Sequence, residues 1–178
     1  LLRFGGFPEP FFKGSESFLG RWQAERLSLI IHDDLAKTEN IRNLPLVEQL
    51  ALSLHSRAGQ LLSLNNLREE IEVHFATVKH WIELLERVFY GWRLYPYSER
   101  LSRSLKKEAK WYFWNWIDAE NMGSRFENLV AVHLLKFVQC INDLGISTFG
   151  LQFVRNKEKK EIDFVIVEKR KPIAFIEC

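Results

Sequence analysis

The chain has 178 residues, 47% hydrophobic and 27% charged, with a formal net charge of +2. That length and apolar content provide for a buried core and exclude a disordered chain. No apolar run approaches the roughly 20 residues needed to cross a bilayer and no signal peptide is visible, so a cytoplasmic protein without membrane contact is expected.

The N-terminal stretch Arg3–Phe12 is rich in glycine and proline and reads as turns. Residues 15–40 read as a helix, with Phe18, Trp22, Leu29 and Ile30 among its apolar positions and HDDL near its end. Asn43-Leu44-Pro45 breaks it, and a second helix is expected from Leu46 to about Ala58. Leu61–Leu64 is short and apolar, and Asn65-Asn66 can open a helix running to Ile71. After the tight connection Glu72-Val73-His74, a longer helix from Phe75 or Ala76 to Val88 completes a helix-turn-helix pattern. Two aromatic strand candidates, residues 90–97 and 110–116, flank a polar basic loop and make the pattern a winged helix. A helix from Ser124 to about Ile141 follows, then strand candidates at 147–154, 161–168 and 172–178. Because the chain begins with Leu1, has Met122 as its only methionine and ends inside a strand pattern, it is expected to be a fragment.

Two constellations could carry function. In the first, Thr77, Lys79 and His80 lie on the polar face of the second helix of the pair, the face that enters the major groove in helix-turn-helix proteins. Arg100, Arg103, Lys106, Lys107 and Lys110 of the wing suit phosphates without reading sequence. The competing reading is a protein-docking module with a solvated basic loop. In the second, a turn centred on Arg170 would pair Glu168 with Pro172, Ile166 with Ala174 and Asp163 with Glu177. Like charges facing each other destabilise a sheet unless something neutralises them, and Mg²⁺ would do so. Alternatively, Asp163 meets a lysine, or the strand edge is wet. Glu127 is the third carboxylate, although Ser124–Glu127 also fits a capping box. There is no GxxxxGK[ST], HExxH or GxSxG, which excludes a P-loop, a zincin site and a nucleophile elbow. Cys140 and Cys178 lie far apart and read as free thiols in a reducing compartment.

The strings GGFPEP, HDDL, AGQLLSLNNL, TVKHWIELLE, YPYS, KWYFWN, RFENLVAVHLLK, EIDFVI and FIEC, in that order, resemble the C-terminal region of a prokaryotic family of AAA-type ATPases. In that family a winged helix precedes a PD-(D/E)XK nuclease-like domain. The resemblance implies a P-loop ATPase domain preceding residue 1, through which alone ATP would be bound. It implies a Mg²⁺ site of Glu127, Asp163 and Glu177, with the family lysine falling just beyond Cys178. Asn115 departs from an aspartate usual in relatives, and Arg155 matches an arginine often found there.

The expected fold is α+β: a helical connector (1–45), a winged helix (46–118) and a truncated restriction-endonuclease-like module (119–178). The expected role is DNA binding within an ATPase acting on DNA, with this fragment itself not cleaving. Its partners would be DNA, its own ATPase domain and a second copy paired through the last strand edge. The alternative is a non-enzymatic docking or regulatory module.

Overall fold

A computed structural model describes residues 1–38, 41, 43–98, 107–156, 158 and 160–178, and its architecture is α+β. The proline-rich entry is partly helical: α1 spans Pro8–Lys13, with proline at a position where a missing N–H costs nothing. A Cβ on Gly6 would fall 2.6 Å from the Trp116 indole, so the Gly-Gly pair lets the entry segment lie directly on that ring. Ser15 caps α2 (Glu16–Leu29), accepting a hydrogen bond from the Phe18 N–H at 3.4 Å. The helix then loosens into a π-helical stretch, Ile30–Leu35, which holds HDDL, before α3 (Ala36–Thr38).

Asn43 caps α4 (Leu44–Ser53), and Pro45 occupies the first turn. The next helix, α5 (Leu64–Ile71), starts ahead of the Asn65-Asn66 pair because Ser63 Oγ accepts from the Asn66 N–H. It stops at Glu72, which adopts φ 57° and returns its N–H to the Arg68 carbonyl. Three residues later α6 (Phe75–Arg87) begins, burying Val78, Trp81, Ile82, Leu84 and Leu85.

Strands β1 (Gly91–Leu94) and β2 (Lys110–Phe113) pair antiparallel, with Gly91 opposite Phe113 and Leu94 opposite Lys110. All four residues of β2 are buried. Trp111 and Phe113 enter the helical core with Leu50, Leu54, Leu67 and Val78, whereas Tyr112 enters a second core with Phe153 and Phe164. The outer edge of β2 is covered as well. Leu62 N–H donates to the Ala109 carbonyl, Trp111 N–H to the Gln60 carbonyl, and Gly59 N–H to the Trp111 carbonyl. The Phe113 peptide groups, next in line, are met by the Asn128 side chain, which accepts from the N–H at 2.8 Å and donates to the carbonyl at 2.7 Å.

Asn128 belongs to α7 (Met122–Asp143), capped by Asn121 rather than by Ser124. Strands β3 (Phe149–Arg155), β4 (Glu161–Glu168) and β5 (Lys171–Ile176) then form an antiparallel meander in that order. The β4–β5 turn is Lys169-Arg170, both at positive φ, as two-residue hairpins require. Glu168 therefore faces Lys171 rather than Pro172, and an extra residue in β5 restores the expected pairing of Ile166 with Ala174. The segment after β1 joins the two sheets: Phe153 N–H donates to the Tyr95 carbonyl and Tyr97 N–H to the Phe153 carbonyl. Among the described residues no helix is long and apolar enough to cross a membrane.

Asn128→Leu would strand two buried backbone groups at once. Urea denaturation is expected to show a loss of about 2–4 kcal/mol. A loss below about 1 kcal/mol would mean that the Asn128 clamp on Phe113 is dispensable.

Candidate functional site

Strand alternation places Lys110 on the same side of β2 as Tyr112, facing the meander rather than the helical core. Its side chain is 2% exposed, and the ammonium lies 2.6 Å from Glu161 Oε1, 3.2 Å from Asp163 Oδ1 and 3.3 Å from Glu127 Oε1. Tyr112 donates its hydroxyl to the same Glu127 oxygen at 2.6 Å. Gly59 makes room for this carboxylate, since a Cβ there would meet Glu127 Oε1 at 2.8 Å, and its φ of +76° suits glycine. Asp163 sits where the β3–β4 ladder shifts register opposite Phe153, and its second oxygen accepts the Cys178 N–H at 3.0 Å. Arg155 reaches Glu161 Oε2 at 3.5 Å.

The electrostatics follow from this packing. Burial alone would lower the Lys110 pKa, but the Glu161 hydrogen bond and the fields of Glu127, Glu161 and Asp163 outweigh it, so the net shift is upward. Burial, then the Glu127 carboxylate, pushes the Tyr112 hydroxyl far above its ordinary value. Burial and the charges of Asp163 and Glu127 raise the Cys178 thiol, against an opposing pull from Lys110.

Of the three carboxylates expected to share Mg²⁺, Glu127 and Asp163 do converge, but on an ammonium. Glu177 is exposed, and the β4–β5 ladder ends at Phe164–Ile176, one pair short of Asp163 and Glu177. Mg²⁺ needs oxygen ligands at about 2.0–2.1 Å in octahedral array, and Lys110 Nζ stands where such an ion would bridge Glu127 and Asp163. The donor set therefore does not fit the ion as arranged. Among the described residues no group of three or more His, Cys, Asp or Glu side chains is placed to hold a metal. The capping box expected at Ser124–Glu127 is also absent, because Asn121 has taken the cap and freed Glu127 to reach β2.

Asp163 does meet a lysine, the alternative open to it from sequence, but that lysine is Lys110, and Tyr112 and Glu161 complete a site that the sequence does not assemble. Glu161-x-Asp163 on one strand and Lys110-x-Tyr112 on another each share a face, a two-residue signal that was legible. That the two faces meet was not. Lys110 itself is corrected from a phosphate-facing wing residue to a buried cation.

The expected nucleic-acid face lies on α6. Lys79 and His80 are exposed, while Thr77 is half-buried and donates its N–H to the His74 carbonyl. Lys107 is exposed beside β2, and Arg100, Arg103 and Lys106 lie outside the described residues. A groove of about 350 Å³ runs between α6 and the β1–β2 hairpin, lined by Phe75, Lys79, Arg93, Tyr95, Lys107 and Glu108 among others. Arg93 is not free within it, since Glu86 takes its guanidinium through contacts of 2.9 and 2.6 Å. A larger cleft of about 520 Å³ lies between α2 and the start of α7. There Arg26 pairs with buried Asp118 at 2.8 Å and His55 Nε2 meets the Tyr90 hydroxyl at 2.8 Å. Burial lowers the His55 pKa, against the fields of Asp118 and Glu120.

A family model described as "Domain of unknown function (DUF8612)" matches residues 1–116, from the entry segment through β2. No curated protein and no solved structure matches the chain.

Lys110→Met keeps the volume and removes the charge. It is expected to cost about 3–5 kcal/mol, as uncompensated buried charges do. Because the folded-state pKa of Lys110 is raised above its ordinary 10.5, its stabilising contribution is complete below that pH and is lost as pH rises through the folded value. The stability difference between wild type and Lys110→Met, measured in urea, should thus shrink above pH about 10.5; a constant difference would refute this electrostatic role.

Proposed function

The chain belongs to this family of unknown function, and we propose that it contacts DNA through a winged helix built on a nuclease-like scaffold that does not itself cleave. The order helix α4, bridged segment at Ala58 and Leu61, helices α5 and α6, then strands β1 and β2 supports the winged-helix reading. The observation that carries DNA contact is the pair Lys79 and Lys107. Both are exposed, line one groove between α6 and the hairpin, and have no carboxylate partner among the described residues. The helix N-terminus beside them has no side-chain cap, leaving N–H groups and the positive dipole end toward an anion. Cations placed in this way bind phosphates without reading bases, so binding follows counterion release.

The α7–β3–β4–β5 portion supports the scaffold half of the proposal. A helix followed by an antiparallel meander brings Glu127 and Asp163 together, as a nuclease-like site would, but their charge is answered by Lys110. In this reading the cluster fastens the hairpin to the meander and thereby fixes the angle at which α6 meets DNA. Within a longer protein, such a module would hold an ATP-driven partner domain on its DNA track.

Salt-dependent binding to a labelled duplex tests the first half. Affinity should fall steeply with salt, and Lys79→Ala and Lys107→Ala should each lower the slope of log K against log salt by about one. Absence of any salt-sensitive binding to duplex or single strands would sink the proposal. With Mg²⁺ present the DNA should stay intact; cleavage abolished by Asp163→Ala would overturn the scaffold half.

A further inference from the structure

The groove between α6 and the hairpin is not built for phosphate alone. Phe75, the first residue of α6, is 45% exposed at its edge, and the half-buried Tyr95 ring lies in its lining beneath the Arg93 guanidinium, 5.9 Å from the ring centroid. In a duplex, a large aromatic at the start of a recognition-type helix finds only thymine methyls to contact, since the other groove-edge groups are donors and acceptors. It is a good contact for the flat face of a base that has left its stack, because base–aromatic stacking tolerates any sequence. Arg93 is held by Glu86 and lies over one face of the Tyr95 ring, so its guanidinium does not compete for phosphate. Lys79 and Lys107 supply the charge for the backbone, and Glu108 is the one carboxylate among the described lining residues. The cavity, about 350 Å³, falls within the range of roughly 300–1,000 Å³ typical of small-ligand pockets.

We infer that this groove takes an unpaired nucleotide, stacking its base on Phe75 and Tyr95 and holding its phosphate with Lys79 and Lys107. The inference deepens the DNA-contact reading and rests on it: the preferred substrate becomes single-stranded DNA, or duplex with a displaced base, while intact duplex is held by its phosphates alone.

The test compares the 178-residue chain on labelled oligo-dT, an abasic strand of equal length and a duplex, across a salt series. Oligo-dT should bind about ten-fold or more tighter than the abasic strand, which keeps the phosphates and lacks the bases. Phe75→Ala and Tyr95→Ala should bring that ratio toward one, and Phe75→Trp, which keeps a π face, should preserve it. Phe75 is exposed and alanine favours helix, so circular dichroism should show Phe75→Ala folded. An oligo-U arm reports whether RNA is taken as well; base-dependent binding of oligo-U with none of oligo-dT would overturn both the DNA-contact reading and the inference. Equal binding of oligo-dT and abasic strand, with salt sensitivity retained, would overturn the stacking groove while leaving DNA contact standing. A dT preference untouched by both alanine variants would also overturn it. Failure to bind any strand would remove the DNA-contact reading together with the inference.

Discussion

Strand β2 is buried on both faces and along its outer edge, and the arrangement of the remaining elements follows from satisfying it. Trp111 and Phe113 point into the helical core while Lys110 and Tyr112 point into the core of the meander. A strand in that position cannot leave a backbone group or a charge unanswered. Residues 59–62 and the Asn128 amide answer the backbone, and Glu127, Glu161 and Asp163 answer the lysine. Residues 59–62 and α7 are thereby fixed to the same outer edge of the strand, and Gly6 lets the N-terminal segment pack on Trp116 beyond it.

The cluster around Lys110 has the residue types of a metal site and the geometry of an ion-pair junction. Three carboxylates face Lys110 and Arg155, leaving one negative charge, which the Tyr112 hydroxyl and the Cys178 N–H offset by donating hydrogen bonds. Buried ion pairs of this kind add little stability over an apolar packing of equal volume, yet are costly to break, so they act chiefly as position markers. Here the position marked is the seam between hairpin and meander. The surface cations divide in the same way. Arg93 and Arg57 are tied to Glu86 and Glu70, whereas Lys79 and Lys107 are left to the solvent-facing groove. Charge that is already paired contributes little to ligand binding, so the free lysines define the electropositive face better than the overall charge does.

The order of elements was legible in the sequence because each obeyed its own local chemistry. Apolar spacing of 3.6 marked α4 to α7, the paired aromatic runs marked β1 and β2, and alternation about a basic turn marked β4 and β5. Boundaries slipped where a side chain upstream reached an N–H first, as Ser63 did for α5 and Asn121 for α7. The Asn121 shift mattered beyond the boundary, because it released Glu127 from a capping box to the seam.

What the sequence determined by itself was therefore the α+β composition, the succession of helices and hairpins, and the presence of carboxylates within strands. Those depend on near neighbours along the chain. The tertiary structure alone decided which charges meet: it carried Lys110 from a basic loop margin into the carboxylate cluster and left Glu177 outside it. Lys110 lies 17 residues from Glu127 and 53 from Asp163 along the chain, so no local pattern encodes the encounter. It arises because β2 must be covered on both faces, and the meander that covers one of them brings Glu161 and Asp163 to its lysine.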